Sequence, residues 1–244
     1  MRRPLFLLAF LLTLVLPGFA QRSVKPTRTV SKLYRGVVID GSLALARTLP
    51  GYSSPIVRRL RRGREVQINA TRITDGVLFV RVLITKRLSG WIQREALAIR
   101  GSADDERRLL LLTASLNGFD QIESAKLFLT EFPASPARPQ MLLLLGDAVE
   151  EAASAVSRSA RRKMNKAAAD AVGGSMIGYL LNFSGLDRYR RLGLTFAANP
   201  RTMRIHYTGD AWREIVSRYP ATPEARSARQ RLSELEIELN RQAD

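Results

Sequence analysis

Charge is the most prominent chemical feature of this sequence. Residues 56–66 read IVRRLRRGREV, which places five arginines between Arg58 and Arg64. Across 244 residues, 39 Lys+Arg face 22 Asp+Glu, for a formal net charge of +17. A surface of that sign attracts anions, so the favoured partner classes are an anionic envelope polymer, nucleic acid or anionic lipid. The run has no aromatic side chain of the kind that stacks on bases in single-strand binders. The nearest aromatic with the character of a ligand contact is Tyr52, set between Gly51 and Ser53-Ser54. Tyr52, Arg58, Arg61 and Arg62 are the candidate ligand-binding residues.

Catalytic signals are sparse. The chain has no Cys, which removes the cysteine nucleophile and any disulfide framework. Its single histidine, His206, is too few for the usual zinc hydrolase site. As the base of a Ser-His-Asp arrangement it would need a nucleophile, and no G-x-S-x-G supplies one, so a packed or surface role is expected for it. Counting carboxylates leaves a two-carboxylate glycosidase open. Yet Asp104, Asp105, Glu106, Glu150 and Glu151 stand at helix starts or on exposed helix positions, where acids cap or meet solvent. Gly173-Gly174 lacks the strand, spacing and lysine of a phosphate-binding loop. The expectation is a non-enzymatic protein with no catalytic residue, no metal and no cofactor. Trp91 and Trp212 are expected to be packing residues.

The elements that would carry these residues follow from patterning. Residues 1–20 read as an export signal: Arg2 and Arg3, an apolar run from Leu5 to Leu16, then Pro17-Gly18 and the small Ala20. The run is too short to span about 30 Å of hydrocarbon as a helix. The reading therefore implies secretion across the inner membrane, to the periplasm, with no transmembrane segment left in the mature chain. Residues 21–32 form a polar, basic lead-in. From 33 to 99 short β-rich runs alternate with turns. Val66-Gln67-Ile68-Asn69 alternates apolar and polar, Thr74-Asp75-Gly76 makes a hairpin-type turn into Val77–Ile84, and Lys86–Gly90 turns into Trp91-Ile92. Four or five strands in that length favour a small barrel over an open sheet, because closure protects edges.

Ala44–Pro50, Ile56-Val57, Leu60-Arg61-Arg62-Gly63, Val66 and Gly90-Trp91-Ile92 with Leu97 together resemble the bacterial SH3 domain, in order and in spacing, over about a quarter of the chain. The resemblance implies an SH3-like β-barrel. It puts Arg61-Arg62-Gly63 at the family's basic turn and Trp91 at its core G-W-V position. Leu45 stands where the family carries Asn.

After Gly101 the pattern becomes helical, and 102–244 is expected to be an all-α unit. Ser102-Ala103-Asp104-Asp105 is a capped helix start. Leu109, Leu112 and Leu116 recur at helical spacing until Asn117-Gly118. A second helix carries Ile122, Ala125, Leu129 and Phe132 up to Pro133, a third runs from about Arg138 to Val156, and a last one carries Ala225, Ala228, Leu232, Leu235 and Leu239. The stretch from Glu131, EFPASP, is repeated from Arg218 as RYPATP, 87 residues on (131 to 218). In each copy the first proline should end one helix and the second begin the next. This junction is similar to that of tetratricopeptide-like helical hairpins of the bacterial envelope, although 87 is no multiple of the roughly 34-residue repeat. An insertion at about 158–209 accounts for the irregularity. Within it, Asn199-Pro200-Arg201-Thr202 is compatible with a β-hairpin or with a plain loop.

The fold class expected is therefore α+β and multidomain. The function expected is an exported envelope binding or scaffold protein. Its SH3-like unit would bind cell-wall peptide or an anionic envelope polymer, and its helical unit would dock a protein partner. The alternatives are an accessory regulator of a cell-wall hydrolase and, less favoured, a nucleic-acid or anionic-lipid binder.

Overall fold

The computed structural model of the chain describes residues 34–164 and 175–241. The export signal and the lead-in lie outside the described residues, as do Lys166–Ala169 and Gly173-Gly174. The chain is a mixed α+β protein: an antiparallel sheet comes first, then helices with a small hairpin among them.

The sheet follows from period-two patterning. β4 (Glu65–Thr74) and β5 (Val77–Thr85) form the longest pairing, closed by Asp75 and Gly76 with φ of 52° and 75°. Two consecutive left-handed residues make the turn whose twist suits a two-residue hairpin, which is why an Asp-Gly pair sits there. Val66 and Ile68 of β4 and Val80, Val82 and Ile84 of β5 alternate into one core. β1 (Tyr34–Val38) and β7 (Leu97–Ala98) extend the ladder on the β4 side. β6 (Leu88–Gln93), β2 (Leu45–Arg47) and β3 (Ile56–Arg59) extend it on the β5 side. The hydrogen-bonded order is β3-β2-β6-β5-β4-β1-β7.

The expected four or five strands are thus seven, and no backbone pairing joins β3 to β7, so the ladder does not close. β2, next to one end, and β7, at the other, still contribute to the same core, through Ala46 and Leu97. The edges are protected by other means. β3 carries arginines, β7 is only two residues long, and the chain turns from it directly into the helices.

Ser102 caps α1 (Ala103–Ser115) as expected, its hydroxyl accepting from the Asp105 N–H. α2 (Gly118–Glu131) and α3 (Arg138–Lys163) follow. α3 runs seven residues past the expected Val156, because Ser157 and Ala160 continue its buried face and Arg161, Arg162 and Lys163 suit the negative end of the helix dipole. Two short helices, α4 (Met176–Leu181) and α5 (Asp187–Arg190), precede the hairpin of β8 (Phe196–Asn199) and β9 (Arg204–Tyr207). The 199–202 stretch is therefore a hairpin turn. α6 (Asp210–Arg218) and α7 (Pro223–Asn240) complete the chain.

The two repeated junctions are the same structure. Phe132 N–H donates to Phe128, Ser135 to Phe132 and Arg138 to Ser135. One repeat later Tyr219 donates to Ile215, Thr222 to Tyr219 and Ala225 to Thr222, with matching distances of 2.9, 3.1 and 3.1 Å in both copies. The prolines differ. Pro223 opens α7, but Pro136 lies in the turn, and it is Pro139 that occupies the first turn of α3. A proline that lacks an N–H fits either place.

The helical core takes in Val37 and Ala98 of the sheet and Ile39 just after β1. Charged groups reinforce the joint. Asp105, 1% exposed, accepts from Arg94 at 2.6 Å, from the Ile99 N–H at 2.7 Å and from Arg108 at 2.7 Å. It was expected as a capping or solvated acid; it is instead the buried tie between β6–β7 and α1. Among the described residues no helix is long and apolar enough to cross a membrane.

Candidate functional site

In a strand, neighbours face opposite sides, so the inward Val80, Val82 and Ile92 place Phe79, Arg81, Trp91 and Gln93 on the outer face of the sheet. Pairing across the ladder aligns Arg81 with Trp91, Trp91 with Arg47, and Phe79 with Gln93. Trp91 was expected in the core. It is half-buried on the outer face, between two arginines, because Ile92 takes the inward position. The preceding Gly90 has a steric role: a Cβ there would lie 2.9 Å from the Ala46 Cβ, so only glycine lets β2 and β6 approach.

Tyr52 is held on this face. Its ring meets Phe79 edge-on at 5.8 Å, and its hydroxyl donates to Gln93 Oε1 at 3.3 Å. Arg47 pins the same loop by donating to the Ser54 carbonyl at 2.6 Å. Tyr52 nevertheless remains 51% exposed, an aromatic fixed in position and open to solvent. Leu49 on its loop and Ile56 and Val57 on β3 are exposed apolar neighbours in sequence.

The arginine run divides into two groups. All four residues of β3 are exposed, Arg58 and Arg59 included. Arg61 is exposed in the following turn, which Gly63 completes with φ of 77°. Among the described residues no carboxylate pairs with Arg58, Arg59 or Arg61. Arg62 departs from the expected ligand contact. Its side chain is 13% exposed and reaches the helical unit, donating to the Ile39 and Asp120 carbonyls at 3.1 and 3.0 Å and pairing with Glu123 at 3.2 Å and Asp120 at 3.4 Å. The cause is position: β1 and the start of α2 flank that side of the turn, and a guanidinium has enough donors for both. Arg64 donates to the Ile84 carbonyl at 2.8 Å.

Of the four candidates from the sequence, Tyr52, Arg58 and Arg61 are accessible and Arg62 joins the two units. Arg47, Arg81 and Trp91 belong to the outer face as well. The alternation of Val80, Val82 and Ile92 would have located Arg81 and Trp91. Only the tertiary pairing of β2 with β6 locates Arg47. Charges on exposed strands and a fixed aromatic can hold a flexible anionic chain by Coulomb attraction and ring contact.

His206 is buried, 4% exposed, with Nδ1 2.8 Å from Glu150 Oε1. Glu150, expected to be solvated, also accepts the Tyr207 N–H at 2.8 Å. Among the described residues no cluster of three or more His, Asp or Glu is placed to hold a metal ion. Comparison with protein-family models, with curated proteins and with solved structures finds no match for this chain.

Proposed function

We propose that this is an exported, non-enzymatic binding protein of the bacterial envelope. Its sheet unit, SH3-like by resemblance, holds an anionic envelope polymer against Arg58, Arg59 and Arg61, with Tyr52 as the aromatic contact. Its helical unit, tetratricopeptide-like by the repeated junction, docks a protein partner. The observation that carries the reading is the contrast within one run: Arg62 is consumed by Asp120 and Glu123, whereas its three exposed neighbours have no acidic partner among the described residues. Unpaired arginines on an open edge keep their full attraction for a polyanion.

The test is co-sedimentation with isolated cell wall and with a soluble polyanion at low and high salt. Arg58→Gln/Arg59→Gln/Arg61→Gln should keep the melting temperature and weaken low-salt binding by roughly tenfold, at about 0.5 kcal/mol for each exposed charge. The difference should shrink at high salt, where the screening length falls to about 3 Å. Arg62→Gln should instead lower stability by about 1–3 kcal/mol, because it strips a mostly buried donor from its acceptors. Unchanged binding by the triple variant at low salt would reduce the run to a basic turn.

A further inference from the structure

Arg188 is an exposed cation held in position without a counter-ion. Its guanidinium carbon lies 4.9 Å from the Phe119 ring centroid and 4.7 Å from that of Tyr189. The two rings meet edge-on at 5.4 Å, and Arg188 donates to the Tyr189 hydroxyl at 2.7 Å. Tyr189 is 3% exposed, so this platform belongs to the core. A stacked guanidinium keeps its charge at any working pH, and its plane is set while most of its five N–H donors remain available. Among the described residues no carboxylate takes them.

Arg188 lines a cavity of about 450 Å³ between α3 and the chain around α5. Ala155 and Ser159 line it from α3, and Phe183, Arg188 and Arg191 from the α5 side. On a helix, residues three and four apart share a side, so the exposed Arg158, Arg162 and Lys163 flank Ala155 and Ser159. Lys163 is also placed by its Nζ, 5.8 Å from the Phe183 ring centroid. Five cations, Arg158, Arg162, Lys163, Arg188 and Arg191, thus border one recess. The acids nearby are Asp187 on its wall and Glu151, one turn before Ala155. Among the described residues none of the five cations pairs with a carboxylate. All five lie in the 158–209 insertion, to which the polyanion reading gives no role.

We infer that this recess binds the phosphate group of a phosphate ester. A carboxylate has two oxygens and one charge, which a single guanidinium satisfies. A phosphate monoester has three free oxygens and about two negative charges, so it takes donors from both walls at once. Arg188, its plane already set, supplies a paired contact, and Arg191 and Lys163 supply single ones. The volume falls within the roughly 300–1,000 Å³ of small-ligand sites, which leaves room for the rest of the ester beside Phe183. The inference is independent of the polyanion reading: it concerns the other unit and other residues, so either can fail alone.

Calorimetric titration of the full chain with glycerol 3-phosphate at physiological ionic strength should show saturable binding, and acetate should bind at least about tenfold more weakly. Arg191→Gln should raise the Kd about tenfold, the scale of one charge-assisted contact. Arg188→Lys keeps the net charge but loses the planar fork, and should raise the Kd about fivefold. A diffuse basic surface would not tell lysine from arginine. If Arg188→Lys lowers the melting temperature, Arg191→Gln carries the test, because its side chain is exposed and stacks on no ring. Three results would each overturn the inference: no saturable binding of the ester, equal affinity for acetate, or an unchanged Kd in Arg191→Gln. The source of the phosphate is read by co-sedimentation with phosphatidylcholine vesicles, with and without phosphatidic acid, in the Arg58→Gln/Arg59→Gln/Arg61→Gln background. Capture that needs phosphatidic acid and is reversed by glycerol 3-phosphate assigns the group to a lipid headgroup, and no such capture assigns it to a soluble ester.

Discussion

Gly146 occupies the middle of a 26-residue helix, where alanine ordinarily adds about 1 kcal/mol of stability. Here the sign reverses. A Cβ at 146 would lie 2.2 Å from Trp212 Nε1 and 2.7 Å from Cδ1 and Cε2. Trp212, 2% exposed and edge-on to Tyr207 at 5.7 Å, has nowhere to retreat. Gly146→Ala should therefore lose about 1–3 kcal/mol, the usual cost of overpacking, as read by urea denaturation. A gain would show that the indole is free to shift. Arg61 and Arg62 make the same point about charge. They are neighbours of one residue type, yet one faces solvent and the other reaches across to α2.

At the scale of the element, the hairpin β8–β9 depends on groups outside itself. Ser157 of α3 accepts the Ile205 N–H at 2.7 Å and donates to the Ala153 carbonyl at 2.8 Å. The Asn199 side-chain amide donates to the Glu238, Leu239 and Arg241 carbonyls at the end of α7. At the other end, α6 begins after Gly209, which has no side chain to cap it, and the Tyr207 hydroxyl accepts the Ala211 N–H at 2.8 Å instead. Burial pushes the Tyr207 phenol up from 10.0 to about 12. The folded state thus holds that proton more tightly than the unfolded chain does. The stabilisation is complete below pH 10 and is lost as the pH rises towards about 12, a fall of about 2–3 kcal/mol. Tyr207→Phe should flatten this alkaline limb in denaturation curves taken from pH 9 to 12, and an unaltered limb would assign it to other groups.

At the scale of the whole molecule, Asp105 decides whether sheet and helices act as one body. Itself nearly solvent-free, it joins Arg94, Ile99 and Arg108, and Val37, Ile39 and Ala98 add a shared apolar core. Asp105→Ala leaves Arg94 and Arg108 without their common carboxylate and should cost about 3–5 kcal/mol. Calorimetry should show one transition for the unaltered chain and a lower or split one for the variant; an unchanged profile would mean that the joint adds nothing to cooperativity. The sequence by itself determined what local chemistry governs. The Ser102 cap, the Asp75-Gly76 turn, the period-two face of β5 and the repeated proline junction each rest on residues within a few positions of one another. The tertiary structure alone decided the fate of individual charged groups. Arg62 meets its carbonyl partner 58 positions away, and His206 meets Glu150 56 positions away. A charge is a ligand contact where water covers it and a tie where a distant carboxylate does, and which of these holds depends on how helices and strands pack. The end of α3, the open ladder and the outward Trp91 were settled in the same way, by burial against partners that no local pattern specifies.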